Sequence, residues 1–241
     1  MRLAVIGLGN IGRRRLRLLR EMGQDDVVVY DSDPRRCVEV AAEFECVACG
    51  GWREVWAYKP EVAFICTLPD SHATLAATFL SRGCHVFIEK PLETIIGHAD
   101  WLVDQMARYP DRITMVACNW RFRAGVAELL AQPGPLTVRA DVPIPVERRT
   151  ELRWDIAWHF VDLALWTGHT YDVYAEYHEP YSVTMSIGKH KLTWSSTDGI
   201  DEMYRAEMAH FLDCAARGVP TCNPISQAAE TLRVLLEVKG R

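Results

Sequence analysis

The sequence lacks the long apolar runs and the segmented amino terminus that mark membrane proteins and exported proteins. No window approaches the roughly 18 uncharged apolar residues that a membrane-spanning helix needs. Met1 leads directly into a strand-like run, without the charged, apolar and small-residue blocks of a signal peptide. We therefore expect a soluble, cytoplasmic protein with no membrane partner.

Cysteine is too sparse for a disulfide scaffold, and positive charge does not predominate. Eight cysteines among 241 residues are too few for a disulfide scaffold, and most lie in apolar runs, as Cys66 and Cys118 do. Cys46 and Cys49 form a C-x-x-C pair, but no second pair lies at zinc-finger spacing, so we predict structural thiols and no metal site. The formal net charge of -5 argues against nucleic acid as a partner.

Strand-like and helix-like segments alternate through the first half of the chain. The strand segments are residues 2 to 6, 26 to 31, 46 to 48, 61 to 66, 84 to 88 and 112 to 117. Helical patterns separate them, and several strands are apolar on both faces, as in a parallel sheet that helices cover on both sides. Right-handed crossovers then predict an α/β, doubly wound Rossmann fold over residues 1–118.

The pattern changes after about residue 118. Helices are predicted at 123 to 132, 153 to 167, 201 to 217 and 226 to 238, and extended segments at 135 to 145, 172 to 179, 182 to 187 and 191 to 196. Short links between consecutive strands predict a mostly antiparallel sheet, so residues 119–241 should form a second, smaller α+β domain. Few helices remain to cover one face of that sheet, which favours self-association, most simply as a homodimer.

A glycine pattern follows the first strand and opens the first helix. Gly7, Gly9 and Gly12 form G-x-G-x-x-G, which allows a tight turn, close backbone approach and a helix N-terminus facing pyrophosphate. The alternative is a purely structural glycine-rich turn. The position between strand and helix favours a dinucleotide site.

An acidic residue ends the second strand at the position expected for a ribose contact. Asp31 lies 19 residues beyond Gly12, where a carboxylate can accept hydrogen bonds from the adenosine ribose hydroxyls and would repel a 2′-phosphate. NAD is therefore favoured over NADP. Arg35 and Arg36 could instead hold a 2′-phosphate, although exposed first-turn residues of a helix are the more frequent case.

Three further residues suit proton transfer at an alcohol. Lys90 follows Glu89 after the fifth strand, at the edge where a parallel α/β sheet places its ligand. Asp155 and His159 stand four apart in a predicted helix and so share one face. Each alone has a simpler interpretation, as a surface lysine or a core histidine, whereas the combination fits general acid/base catalysis. The arginines at 13, 14, 15, 17 and 20 are interpreted as a mostly exposed helix face, although Arg13 could instead lie beside a bound phosphate.

These residues resemble the glucose-fructose oxidoreductase and inositol dehydrogenase family, Gfo/Idh/MocA. The likeness runs through nearly the whole chain: VIGLGNIG at the start, TLPDSHA at 67 to 73, GCHVFIEKPLE at 83 to 93, CNWRF at 118 to 122, DIAWH at 155 to 159, and EMAHFLDCAARGVP with ISQAAETLRVL near the end. The E-K-P step joined to a downstream D-x-x-x-H helix is much more specific than the glycines.

The resemblance implies hydride exchange between a nicotinamide cofactor and a sugar, cyclitol or nucleotide-sugar alcohol. It implies that Lys90 contacts the reacting hydroxyl, that His159 is the general acid/base, and that Asp155 helps to bind and orient the substrate. Asn119 and Arg121 match positions near the domain junction that line the substrate pocket in this family. The cofactor-binding residues that it implies are Gly7, Gly9, Asn10, Ile11, Gly12, Asp31, Thr67, Pro69, His72, Glu89 and Lys90.

Two departures from the family pattern affect the expected substrate and assembly. Arg153 and Trp154 replace the paired glycines that often precede the D-x-x-x-H helix, and the second domain is short. The arginines at 121, 123, 148, 149 and 153 fall on segments near the expected pocket, which suggests an anionic sugar or nucleotide sugar; the alternative is exposed loop charge.

Two other functions remain open from the sequence. One is an inactive dinucleotide-binding sensor or assembly subunit, although keeping Lys90, Asp155 and His159 together argues against a pure binder. The other is a sugar-modifying enzyme that uses tightly bound NAD transiently and releases no net NADH.

Overall fold

A computed structural model describes residues 1–141, 149–176, 181–195, 197 and 199–239. Contacts divide the chain into two compact units. The first contains Met1–Ala117 and Met208–Ala229, and the second contains Cys118–Glu207 and Glu230–Arg241. Within the described ranges, no helix is long and apolar enough to cross a membrane.

The first unit is built on a six-stranded parallel sheet. Its strands are β1 (Leu3–Ile6), β2 (Val27–Tyr30), β3 (Val47–Ala48), β4 (Val62–Ile65), β5 (His85–Ile88) and β6 (Thr114–Val116). The strand order is β3-β2-β1-β4-β5-β6, and every neighbouring pair is parallel. The chain reverses its direction across the sheet between β1 and β4, which is where such sheets open a crevice for ligands. The predicted Rossmann fold is confirmed.

Five helices connect these strands. They are α1 (Asn10–Glu21), α2 (Pro34–Glu43), α3 (Trp52–Tyr58), α4 (His72–Ser81) and α5 (Ile96–Met106). Asp33 caps α2 by accepting hydrogen bonds from the backbone N–H groups of Arg35 and Arg36, and Pro34 occupies the first helical position, where no donor is lost.

The first unit also includes a segment from near the end of the chain, Met208–Ala229. It carries parts of α8 (Ile200–Arg217) and α9 (Ile225–Lys239). The Phe211 ring packs on Phe64 and Phe87, with ring centroids 5.7 and 5.5 Å apart. The predicted boundary at 118 assigned this segment to the second domain. The order of elements along the sequence does not show against which hydrophobic core a helix near the end of the chain packs.

The same segment pairs with the outer edge of β6. Thr221 Oγ1 donates to the carbonyl of Thr114 at 2.6 Å, and the Val116 N–H donates to the carbonyl of Asn223 at 2.9 Å. The Asn223 amide donates in turn to the carbonyl of Val116 at 3.0 Å. These bonds satisfy polar backbone groups at the sheet edge that would otherwise have no strand beside them.

The second unit contains a mixed four-stranded sheet with helices on one face. Besides the remaining parts of α8 and α9, it contains α6 (Val126–Leu130), β7 (Leu136–Asp141), α7 (Arg149–Thr167), β8 (Tyr171–Glu176), β9 (Ser182–Ile187) and β10 (His190–Trp194). The order is β10-β9-β7-β8; β7 and β8 are parallel, and the other pairs are antiparallel. The mostly antiparallel sheet is confirmed. However, β7 separates the consecutive strands β8 and β9, because the long α7 connects β7 to a parallel neighbour.

Side chains alternate across this sheet. Leu136, Val138 and Ala140 are buried and pack with Phe160 and Leu163 of α7. The opposite face carries polar side chains, among them Thr137, Arg139, Thr184, Ser186 and Thr193. Tyr174 is also exposed on this face, beside Arg139. The homodimer stays a prediction.

Two histidines of the first unit should make its stability sensitive to acid. The N–H of Ile113 donates to His85 Nδ1 at 2.9 Å, and the N–H of Cys222 donates to His210 Nε2 at 3.1 Å. An acceptor nitrogen must be unprotonated, and burial lowers the pKa of both imidazoles below the usual 6.5. The unfolded chain therefore binds more protons than the folded one below that pH.

We expect the free energy of unfolding to fall as the pH drops below about 6.5. Urea titrations at several pH values measure this slope. His85→Asn with His210→Gln keeps an acceptor oxygen in each place and should reduce the slope. The part that remains comes from His72, since burial lowers the pKa of that imidazole too. His190→Asn is the control, because this ring is exposed. An unchanged slope in the double variant would contradict the assignment.

Candidate functional site

The glycine turn leaves an open approach to the N-terminus of α1. Gly7 has φ +87°, and a Cβ at Gly12 would lie 1.9 Å from the carbonyl oxygen of Gly7. Both glycines are therefore required by the turn itself. At Gly9, no atom of the described residues lies within 4 Å of the Cβ position. This glycine keeps free the space in front of the helix, which is the arrangement that a pyrophosphate requires.

Asp31 supports this turn from β2. Its Oδ2 accepts the N–H of Leu8 at 2.7 Å, its Oδ1 accepts the N–H of Asp33 at 2.8 Å, and Arg36 lies 3.3 Å from both oxygens. Burial raises the pKa of the Asp31 carboxyl, but the two N–H donors and Arg36 outweigh burial and leave that pKa lowered. The carboxylate is therefore charged at neutral pH. It also shapes the turn, which the sequence did not indicate.

The segment after β4 contains three predicted cofactor residues, which differ in their burial. Thr67 and Pro69 are half-buried, and Thr67 Oγ1 lies 2.7 Å from Ser71 Oγ. His72 is fully buried, with its ring nitrogens 3.0 Å from the carbonyl oxygens of Thr67 and Pro91. A side chain with no exposed surface does not line a ligand pocket. The expected direct contact of His72 with the cofactor is therefore corrected to a contact within the protein.

The E-K-P step after β5 includes a buried ion pair. Arg15 Nε donates to Glu89 Oε1 at 2.6 Å, and the Arg15 guanidinium lies 4.5 Å from the centroid of the Phe87 ring. Arg15 is fully buried, which corrects its assignment to an exposed helix face. Its spacing in α1 contained the signal, since Gly12, Arg15, Leu16 and Leu19 all fall on the buried face. Lys90, the next residue after Glu89, is half-buried.

The structure therefore brings most of the predicted cofactor segments of the first unit to one edge of the parallel sheet. The glycine turn, Asp31, the loop that begins at Thr67, and the Glu89–Lys90 step follow the carboxyl ends of β1, β2, β4 and β5. This edge is where a doubly wound sheet binds its ligand.

Two predicted substrate residues lie in a short 3-10 turn, Asn119–Phe122, of the second unit. The Arg121 guanidinium donates to both oxygens of Asp162, at 2.8 and 2.6 Å, and lies 4.6 Å from the centroid of the Trp166 ring. Both side chains of this ion pair are 1% exposed. Arg121 is therefore held within the protein, which corrects its expected role in substrate binding and removes it from the anion-binding hypothesis.

Asn119 differs from Arg121 in the same turn. It is 6% exposed, and within the described residues its Oδ1 is buried without a hydrogen-bond partner. A buried acceptor without a partner costs free energy, which a ligand donor can recover.

The predicted acid/base residues lie on α7. The helix covers Arg149–Thr167 and so holds positions 155 and 159 one turn apart, as predicted. His159 is half-buried and its Nδ1 is buried. The side chain of Asp155, like those of Arg148, Arg149 and Arg153, lies outside the described residues. Lys90 belongs to the first unit and His159 to the second.

Cys46 and Cys49 do not have the character of a redox or metal pair. Burial raises the pKa of each thiol to about 11, so both stay protonated at neutral pH. Among the described residues, no group of three or more His, Cys, Asp or Glu side chains could hold a metal ion.

Solved structures with the same fold cover this chain along its whole length. UDP-N-acetylglucosamine 3-dehydrogenase GnnA from Acidithiobacillus ferrooxidans matches with a TM-score of 0.86 at 19% identity, over 100% of this chain and 97% of that one. Myo-inositol 2-dehydrogenase from Lactobacillus plantarum matches with a TM-score of 0.84 at 13% identity, over 100% and 96%. GenD2 from gentamicin A biosynthesis, in complex with NAD, matches with a TM-score of 0.80 at 16% identity, over 99% and 94%.

Comparison with curated proteins gives no match. The family model described as "Oxidoreductase family, NAD-binding Rossmann fold", GFO_IDH_MocA, matches residues 1–117. Residues 1–117 are therefore similar to the NAD-binding Rossmann domain of the Gfo/Idh/MocA oxidoreductases.

Proposed function

We propose that the protein transfers hydride between NAD and an alcohol or ketone group of a sugar, cyclitol or nucleotide sugar. The observation that carries this proposal is the set of residues at the carboxyl edge of the parallel sheet. An open helix N-terminus, a charged Asp31 and the Glu89–Lys90 step meet there. The named activities of the structural neighbours, on a UDP-sugar and on an inositol, support the substrate class.

The residues present fit a dinucleotide. The turn at Gly9 leaves room for pyrophosphate, with Asn10 exposed and Ile11 half-buried behind it. We propose that Asp31 binds the adenosine ribose, and that Thr67 and Pro69 lie against the nicotinamide. When bound, the nicotinamide accepts or returns a hydride.

We propose separate roles for Lys90 and His159 in moving the alcohol proton. Lys90 Nζ donates a hydrogen bond to the reacting oxygen and stabilises negative charge as it develops there. His159 takes the hydroxyl proton. We assign this step to Nε2, because Nδ1 is buried. Asp155 orients the substrate, and Asn119 Oδ1 accepts a hydrogen bond from one of its donors.

Incubation with NAD and a panel of sugars, cyclitols and nucleotide sugars tests the proposal. Net NADH formation in step with substrate loss is the expected result. Substrate conversion without net NADH would instead indicate an enzyme that uses bound NAD transiently. NAD binding without any conversion would indicate a sensor or assembly subunit. The retention of Lys90 and His159 favours turnover over simple binding.

Cofactor choice is expected to depend on Asp31. NAD should bind about tenfold or more tightly than NADP, since one charge repulsion of about 1.4 kcal/mol at the 2′-phosphate gives that ratio. Asp31→Asn removes the charge together with one of the two acceptors for backbone N–H groups, so NAD affinity should fall and the ratio of NAD affinity to NADP affinity should decrease. Arg36→Gln removes the nearby cation and should increase the ratio of NAD affinity to NADP affinity. Calorimetric titrations measure these ratios, and equal affinities in the unmodified protein would refute the assignment.

A further inference from the structure

The residue before Lys90 is fixed to the helix that begins at the glycine turn. Glu89 is 5% exposed and Arg15 of α1 is fully buried, and their side chains form the 2.6 Å ion pair. Burying two charges is expensive, and apolar replacements of a buried pair are often neutral or stabilising. Stability alone is therefore a weak reason for this pair. Its geometric effect is to fix the position of the backbone between the end of β5 and Lys90.

The residue after Lys90 is fixed by His72. One ring nitrogen of His72 meets the carbonyl of Pro91, and the other meets the carbonyl of Thr67, both at 3.0 Å. His72 begins α4, and its ring has no exposed surface. A neutral ring has one N–H and donates to one of these two carbonyls, while its other nitrogen lies beside the second. The ring therefore lies between the E-K-P step and the loop after β4.

We propose that Arg15 and His72 are positioning residues for Lys90, holding the backbone on its two sides. Both are fully buried, so they act through Glu89 and Pro91 and not through ligand contact. This inference rests on the proposed function, in which Lys90 meets the reacting hydroxyl. A misplacement of about 1 Å at such a group can cost about 10²-fold in rate. Contacts from two separate helices, α1 and α4, can hold the backbone at Lys90 to within such a distance.

The placement of Lys90 can be measured without a known substrate. Trinitrobenzenesulfonate labels lysine amines, and peptide mass spectrometry gives the labelling rate of each one. Exposed Lys189 in the second unit serves as an internal reference. In the unmodified protein, NAD should slow labelling of Lys90 several-fold and leave Lys189 unchanged. In Arg15→Met and in His72→Leu, Lys90 should label faster, and NAD should protect it less, with NAD affinity within a few-fold.

A paired substitution separates positioning from stability. Arg15→Met alone leaves the Glu89 carboxylate buried without its cation, which destabilises the fold. Arg15→Met with Glu89→Gln removes both charges and should recover the unfolding temperature. If the pair only stabilises the fold, protection of Lys90 by NAD and turnover recover too. If it positions Lys90, protection stays weak and kcat stays about tenfold or more below that of the unmodified enzyme, with KM for NAD little changed.

Arg17→Met on the same helix is the matched control, because Arg17 forms an exposed ion pair with Glu21. It should leave labelling and turnover unchanged. Normal protection of Lys90 in both Arg15→Met/Glu89→Gln and His72→Leu would overturn the inference. Normal turnover by Lys90→Met would instead contradict the proposed function. The labelling rates of Lys90 in the other variants would still show whether Arg15 and His72 position it.

Discussion

Lys90→Met and His159→Ala should each lower turnover by about 10²-fold or more, the usual effect of losing a positioned acid/base group. NAD affinity should stay within a few-fold, because the proposed dinucleotide site is formed mainly by the glycine turn and Asp31. The methionine keeps most of the apolar length of lysine and removes only the amine. Asp155→Ala should raise KM as well as lower kcat, because its proposed role includes substrate binding.

Steady-state kinetics on the substrate found in the panel, with separate NAD titrations, measure these effects. Lys189→Met removes an exposed lysine of the second unit and should leave kcat unchanged. Normal turnover in both Lys90→Met and His159→Ala would mean that another residue transfers the proton.

The second large effect is expected at the glycine turn, where two neighbouring glycines should respond in opposite ways. Gly12→Ala places a Cβ 1.9 Å from the Gly7 carbonyl oxygen, so the backbone must move. We expect a loss of about 3 kcal/mol or more in the free energy of unfolding. Gly9→Ala meets no atom of the described residues within 4 Å, and its φ of -67° suits alanine.

Gly9→Ala should therefore change stability by less than about 1 kcal/mol. Its NAD affinity should nevertheless fall by about tenfold or more, because the added methyl occupies space that we assign to pyrophosphate. Urea unfolding and calorimetric titration measure the two quantities separately. Unchanged NAD binding by Gly9→Ala would place the dinucleotide elsewhere.

Local pattern was sufficient to predict the first sheet and its cofactor edge. Buried strands, glycine spacing and the acid after β2 are all short-range features, and parallel topology places their carboxyl ends at one edge. The partners of charged side chains could not be predicted in this way. Arg15 and Glu89 are 74 residues apart, and Arg121 and Asp162 are 41 apart, so no local pattern links them.

His72 illustrates the same limit from a family motif. A resemblance indicates that a residue matters, but not whether its side chain faces a ligand or the protein. Burial decides this question, and the ring of His72 has no exposed surface. Strand pairing in the second unit also depended on a long-range feature. The short link between β8 and β9 predicted that these strands pair, but the crossover through α7 places β8 beside β7 instead.

The return of Met208–Ala229 to the first unit has a consequence for synthesis on the ribosome. Domains commonly fold in order as the chain emerges. In this chain, residues 211 to 223 supply the packing partner of Phe64 and Phe87 and the hydrogen-bond partners of the β6 edge. These contacts cannot form until that late segment has been synthesised. We expect the first unit to finish folding only after most of the second unit has emerged. A chain released after residue 118 would expose an apolar patch and an unpaired strand edge, the features that chaperones recognise and that promote aggregation.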